Sequence, residues 1–102
     1  MAISDVQQKG NYYQIFDGNG KKGKEILSGS AGELCGIGSN FVVFLKGNYF
    51  ATYDENFKKI KETLSSSIGG FKNAVGSTNT FVKGSYLGTY DVNFKKISER
   101  HI

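Results

Sequence analysis

The chain contains no proline and no tryptophan, and only one cysteine, one histidine and one methionine among its 102 residues. A lone cysteine leaves no disulfide within the chain and no Cys/His set for structural zinc. Between Leu34 and Gly36, Cys35 is expected to be a small buried thiol. The one histidine, His101, stands next to last, where a solvated side chain is expected and not a general base with a fixed partner. Nucleophilic triads and dyads therefore have no histidine to build on. No apolar run approaches the roughly 20 residues of a membrane-spanning helix. The start, Met1-Ala2-Ile3-Ser4-Asp5, lacks the basic region and apolar stretch of a secretion signal, so a cytoplasmic or virion-associated protein is expected.

Charge of neither sign dominates. Thirteen Lys and Arg face nine Asp and Glu, a net charge of +4 that attracts nucleic acid, anionic lipid or acidic glycans only modestly. Asp17-Gly18-Asn19-Gly20 lacks the run of acidic ligands and the distal Glu of a twelve-residue calcium loop. The chain is expected to need no metal and no cofactor and to have no enzymatic activity.

What the sequence has in abundance is aromatic residues and glycine. Eight Phe and six Tyr favour strands, and fourteen Gly, about twice ordinary usage, provide turns. The arrangement is periodic. Lys9-Gly10-Asn11-Tyr12 through Lys22 returns at Lys46-Gly47-Asn48-Tyr49 through Lys59 and at Lys83-Gly84-Ser85-Tyr86 through Lys96, with both offsets 37 residues. Such a period marks a fold built from one supersecondary unit.

Residues 48–54 alternate Tyr49, Ala51 and Tyr53 against Phe50, Thr52 and Asp54, the two-residue period of a strand. Asp17, Asp54 and Asp91 then open tight turns in which a carboxylate caps the backbone two residues ahead. Gly20 closes the first turn, whereas Phe57 and Phe94 occupy its place in the later copies. Since a large side chain is costly in the left-handed region, Asn56 and Asn93 are expected to adopt it instead, with the rings packing on a neighbouring unit. The Gly-Asn-Tyr…Tyr-Asp-x-Asn-x-Lys-Lys phrase loosely resembles the short Trp-Gly type repeats, in which a strand, an Asp-x-Asn-Gly turn and a basic second strand recur. Their hallmark tryptophan is absent, and the resemblance implies one hairpin and no residue roles.

Another strand is expected before each Lys-Gly, as in Asn40-Phe41-Val42-Val43-Phe44-Leu45-Lys46, and a short one within each glycine-rich connection. Leu27-Ser28 and Leu64-Ser65-Ser66-Ser67 carry a helical turn as the alternative. The count is about four strands per unit and eleven in all. A single all-β domain, 1–102, follows, with antiparallel repeat units at approximately 10–46, 47–83 and 84–102 plus 1–9. Three units are few for a closed ring, so a propeller-like oligomeric assembly is favoured, with a monomeric β-trefoil-like barrel as runner-up.

Two sets of repeated residues compete for function. Asn11, Tyr12, Asn48, Tyr49, Ser85 and Tyr86 place an aromatic ring beside a polar group in each copy, a pattern suited to a glycan. Packing competes for those rings, because Phe16, Tyr53 and Tyr90 share their face and an inner sheet layer needs aromatics. Lys21, Lys22, Lys58, Lys59, Lys95 and Lys96 form a basic rim that would meet phosphates. Against it, adjacent lysines point to opposite strand faces, and Glu25, Glu62 and Glu99 lie nearby as ion-pair partners. A self-associating, non-enzymatic module for multivalent carbohydrate recognition is the leading expectation. A nucleic-acid-associated accessory protein is the alternative, and a purely structural phage or particle component is another.

Overall fold

A computed structural model describes residues 3–102; Met1 and Ala2, which belong to the expected start of the chain and to its last repeat unit, lie outside them. Eleven strands form: β1 (Ile3–Lys9), β2 (Tyr12–Asp17), β3 (Lys22–Leu27), β4 (Glu33–Ile37), β5 (Phe41–Lys46), β6 (Tyr49–Asp54), β7 (Lys59–Leu64), β8 (Gly70–Val75), β9 (Thr78–Lys83), β10 (Tyr86–Asp91) and β11 (Lys96–His101). One-turn helices α1 (Ser28–Ala31) and α2 (Ser65–Ile68) follow β3 and β7, so the helical alternative is the one adopted there. Consecutive strands pair antiparallel into three sheets: β1-β2-β3, β4-β5-β6-β7 and β8-β9-β10-β11.

Among the described residues no sheet closes into a barrel, which corrects the trefoil-like alternative. The reason is local. After β3 and β7 the chain turns away through a helical turn and begins a new sheet, so no sheet gains the strands needed to close. Sheet boundaries fall at α1 and α2, and the sequence units 10–46 and 47–83 each begin in one sheet and end in the next.

The three sheets stack, and the middle one is covered on both faces. Val42, Phe44, Ala51 and Tyr53 pack with Val6, Tyr13 and Ile15 of the first sheet. Phe41, Val43 and Phe50 pack with Phe71, Phe81 and Tyr90 of the third. Alternate side chains of a strand point to opposite faces, so Phe41-Val42-Val43-Phe44 divides between the two cores with all four 0% exposed. A continuous apolar run is what a doubly covered strand requires.

Closest approach between the second and third sheets runs along β4 and β8. Gly36 permits it, because a Cβ there would lie 2.5 Å from the Phe71 ring. Main-chain bonds tie the same end of the stack: Ile3 N–H donates to Ser39 O at 2.7 Å, and Ser39 N–H to Gly76 O at 2.8 Å. Thr52 Oγ1 donates to Val92 O at 2.6 Å, joining the second and third sheets.

The turn aspartates cap as expected. Asp54 Oδ1 accepts from the N–H groups of Asn56 (2.8 Å) and Lys58 (2.9 Å), and Asp17 and Asp91 repeat both bonds. The expected left-handed asparagines are corrected: Phe57 and Phe94 themselves take positive φ, 58° and 59°. They fill the bulge position that Gly20 holds at φ 77°. Strain of about 1–2 kcal/mol is offset by burial, since Phe57 lies 6.3 Å from Phe44 and Phe94 lies 6.0 Å from Phe81, centroid to centroid. Both rings belong to cores shared with the preceding sheet. Gly20 has no preceding sheet among the described residues, and no ring is needed.

On the outer faces of the stack, polar residues stand at several positions that are apolar in the middle sheet, beside Tyr12 and Phe16 on the first sheet and Val82 and Leu87 on the third. Where the middle sheet has Val42, Phe44 and Ala51, the first has Asp5, Gln7 and Gln14, hydrogen-bonded laterally as Gln7–Asp5 (3.1 Å) and Gln14–Glu25 (2.6 Å). The far face of the third sheet carries Thr80 where the middle sheet has Val43.

Two stability outcomes follow. Asp54→Ala and Asp91→Ala should each cost about 0.5–2 kcal/mol in chemical denaturation, the loss of a local cap. Phe57→Gly should cost about 1–3 kcal/mol, ring burial lost less strain relieved. Phe57→Ala should be worse than Phe57→Gly by about 1 kcal/mol; the reverse order would show that Phe57 is not held left-handed.

Candidate functional site

Two clefts open where α1 and α2 cross in front of the sheets they lead into. The first, about 570 Å³, is lined by Ser30, Ala31, Lys46, Asn48, Tyr49, Tyr53, Lys59 and Glu62, with Gly47 and Ala51. The second, about 320 Å³, is lined by Ser67, Ile68, Lys83, Tyr86, Tyr90, Lys96 and Glu99, with Phe81 and Gly88. Ser30, Lys46, Tyr49, Tyr53, Lys59 and Glu62 of the first correspond, 37 residues on, to Ser67, Lys83, Tyr86, Tyr90, Lys96 and Glu99 of the second. Both are therefore versions of one site.

Tyr49 and Tyr86 begin β6 and β10 immediately after their hairpin turns, beyond the reach of the inter-sheet core. These residues stay 46% and 49% exposed, whereas Tyr53, four residues deeper on the same face as Tyr49, is buried. The expectation that these repeated aromatics pack thus holds for Tyr53 and not for Tyr49 or Tyr86. His101 meets the Tyr86 ring edge-on, 5.2 Å between centroids.

Polar groups surround each ring. Lys46 Nζ donates to Ser30 O at 3.3 Å and Lys83 Nζ to Ser67 O at 3.1 Å, fixing the helical turn to the sheet. Lys59–Glu62 (3.4 Å) and Lys96–Glu99 (2.7 Å) are exposed ion pairs. The hydrogen bond that Lys96 donates to Glu99 raises the Lys96 ammonium above the ordinary lysine range. In the first sheet, the hydrogen bond from Gln14 and then Lys22 hold Glu25 below the usual carboxylate range.

Asn48 and Tyr49 come together in the first cleft and Tyr86 lies in the second, but Ser85 is not among the residues lining it. Asn11 borders a separate hollow with Leu27 and Ser28. Tyr12, 45% exposed, lies on the first sheet, where the corresponding face has no covering sheet among the described residues. Asn11, Asn48 and Ser85 share a main-chain role: their carbonyls accept from Ser28, Ser65 and Ile102, each at 2.8 Å.

The six rim lysines divide. Lys22, Lys59 and Lys96 pair with glutamates three residues on, whereas the N–H groups of Lys21, Lys58 and Lys95 bond the turn aspartates. Only Lys59 and Lys96 of the six line the two clefts.

Sequence reasoning counts Lys46 and Lys83 among the repeated lysines of the basic rim but does not bring them to the tyrosines, and it leaves Ser30 and Ser67 out of any site. A signal is present: Ser28-Gly29-Ser30-Ala31-Gly32 and Ser65-Ser66-Ser67-Ile68-Gly69 keep the period of 37 through the connection. Cys35 is half-buried, and burial pushes its thiol pKa up, which keeps it protonated and a weak nucleophile. Among the described residues, no three His, Cys, Asp or Glu side chains gather where they could hold a metal, and no helix is long and apolar enough to cross a membrane. No protein-family model, curated protein or solved structure matches the chain.

Proposed function

We propose that the chain is a non-enzymatic carbohydrate-binding module with two clefts built from the same repeat positions, each using a half-exposed tyrosine as the platform for one sugar. The observation that carries this is the joint recurrence of ring and polar groups, Tyr49 with Lys59 and Glu62, and Tyr86 with Lys96 and Glu99, in cavities of about 570 and 320 Å³. A pyranose has an apolar C–H face and a rim of hydroxyls. An aromatic floor with a carboxylate and an ammonium at its edge complements both. Two clefts on one rigid stack give avidity toward a repeating glycan without further contacts.

The nucleic-acid alternative has less support, because three of the six rim lysines are engaged with glutamates. The propeller-like ring has less support too. Asp5, Gln7 and Gln14 on one outer face and Thr80 and Thr89 on the other suit a stack that ends itself, as the polar outer faces of capping repeats do.

Titration with soluble glycans tests the proposal. Tyr49→Ala should weaken binding at least tenfold, about 1.4 kcal/mol, with an unchanged melting temperature. Raising salt from about 50 to 200 mM should shift affinity less than about fivefold, against about 10³–10⁵ for a protein gripping six to ten phosphates. Steep salt dependence with no effect of Tyr49→Ala would instead assign binding to the lysines and to nucleic acid.

A further inference from the structure

Resting on that carbohydrate reading, we infer that the sugar carries an anionic group, carboxylate or sulfate, and that the first cleft binds it more strongly than the second. Charge accounting within each cleft leads there. Lys59 is matched by Glu62 and Lys96 by Glu99. Among the described residues, Lys46 and Lys83 donate only to the neutral main-chain oxygens of Ser30 and Ser67. An ammonium has three donors, so each keeps two for a ligand, and each cleft holds one positive charge in excess.

That charge sits beside the platform. Lys46 pairs directly across the β5–β6 hairpin with Tyr49, and Lys83 across β9–β10 with Tyr86. Side chains directly opposite on antiparallel strands begin about 4.5–5.5 Å apart. A sugar stacked on the ring thus brings an exocyclic anion within reach of the ammonium, whereas a neutral sugar leaves the excess charge unanswered. The clefts differ most in side-chain bulk at the wall supplied by the helical turn. Ala31 leaves room in the first where Ile68 fills the second, in line with about 570 against 320 Å³. Drug-sized ligand pockets span about 300–1,000 Å³, so the second cleft lies at the lower bound.

The test is an amide NMR titration with methyl glucuronide, glucose 6-sulfate and the neutral methyl glucoside. Glucuronide, sulfate or both should bind at least tenfold tighter than the glucoside; both tight means charge alone is read, one tight identifies the group. Resonances of Gly47 and Asn48 should shift at lower sugar concentration than those of Gly84 and Ser85, and Ile68→Ala should narrow that gap. Lys46→Gln should abolish the preference for charged over neutral sugar at Gly47 and Asn48. Equal binding of charged and neutral sugars, or a preference surviving Lys46→Gln, overturns the anion inference and leaves the carbohydrate reading standing. Saturation of Gly84 and Ser85 at a lower sugar concentration than Gly47 and Asn48 overturns the ranking of the clefts. Binding of none of the three overturns both.

Discussion

Phe41, Val42, Val43 and Phe44 are shut away from water on both faces of the middle sheet, and the other sheets take their places from that burial. Fully burying four such side chains contributes about 6–12 kcal/mol at 1.5–3 each, an upper estimate because unfolded chains are already partly compact. A typical domain is stable by only about 5–15 kcal/mol. The middle sheet therefore cannot lose either cover and remain folded in water. Each outer sheet covers one of its faces and turns its own other face outward.

From that unequal demand come the differences among three nearly identical phrases. Phe44 and Phe81 face a preceding sheet, and their equivalent Gln7 faces none among the described residues. Phe57 and Phe94 accept a left-handed backbone because a shared core awaits their rings, while Gly20 takes the same conformation without strain. Beyond the cores, between each one-turn helix and the sheet behind it, space is left, and Tyr49 and Tyr86 look into it. The clefts are by-products of stacking that the repeated polar residues make chemically uniform. Outermost strands β3, β7 and β11 carry Lys22, Lys59 and Lys96, charges that also discourage pairing with another sheet edge.

Much of this is legible in the sequence because strand and turn chemistry is local. Two-residue alternation locates β6, and the turn aspartates announce their caps. What is not legible depends on the stack. Tyr49 and Tyr53 share a face and a period, and only the depth of the covering sheet makes one half-exposed and the other buried. Phe57 escapes a local reading because local sterics assign positive φ to Asn56, and the burial that overrides them comes from another sheet. Lys46 is one member of a lysine triplet in the sequence, and only α1 crossing in front of it makes it part of a cleft. The uncovered face of the first sheet is visible as Gln7 against Phe44 and Phe81, a contrast that acquires meaning only once the sheets are known to be stacked.

Native-state hydrogen exchange, resolved by residue, tests the dependence on the middle sheet most directly. Amides that open only with global unfolding should be concentrated in β5 and β6, at Val42, Val43, Phe44, Ala51 and Thr52. Those of β2 and β10 should open at lower free energy, with β3 and β11 lowest, because local opening follows the loss of a single cover. Protection equal across all three sheets, or greatest in β2 or β10, would contradict a fold organised around one doubly buried sheet.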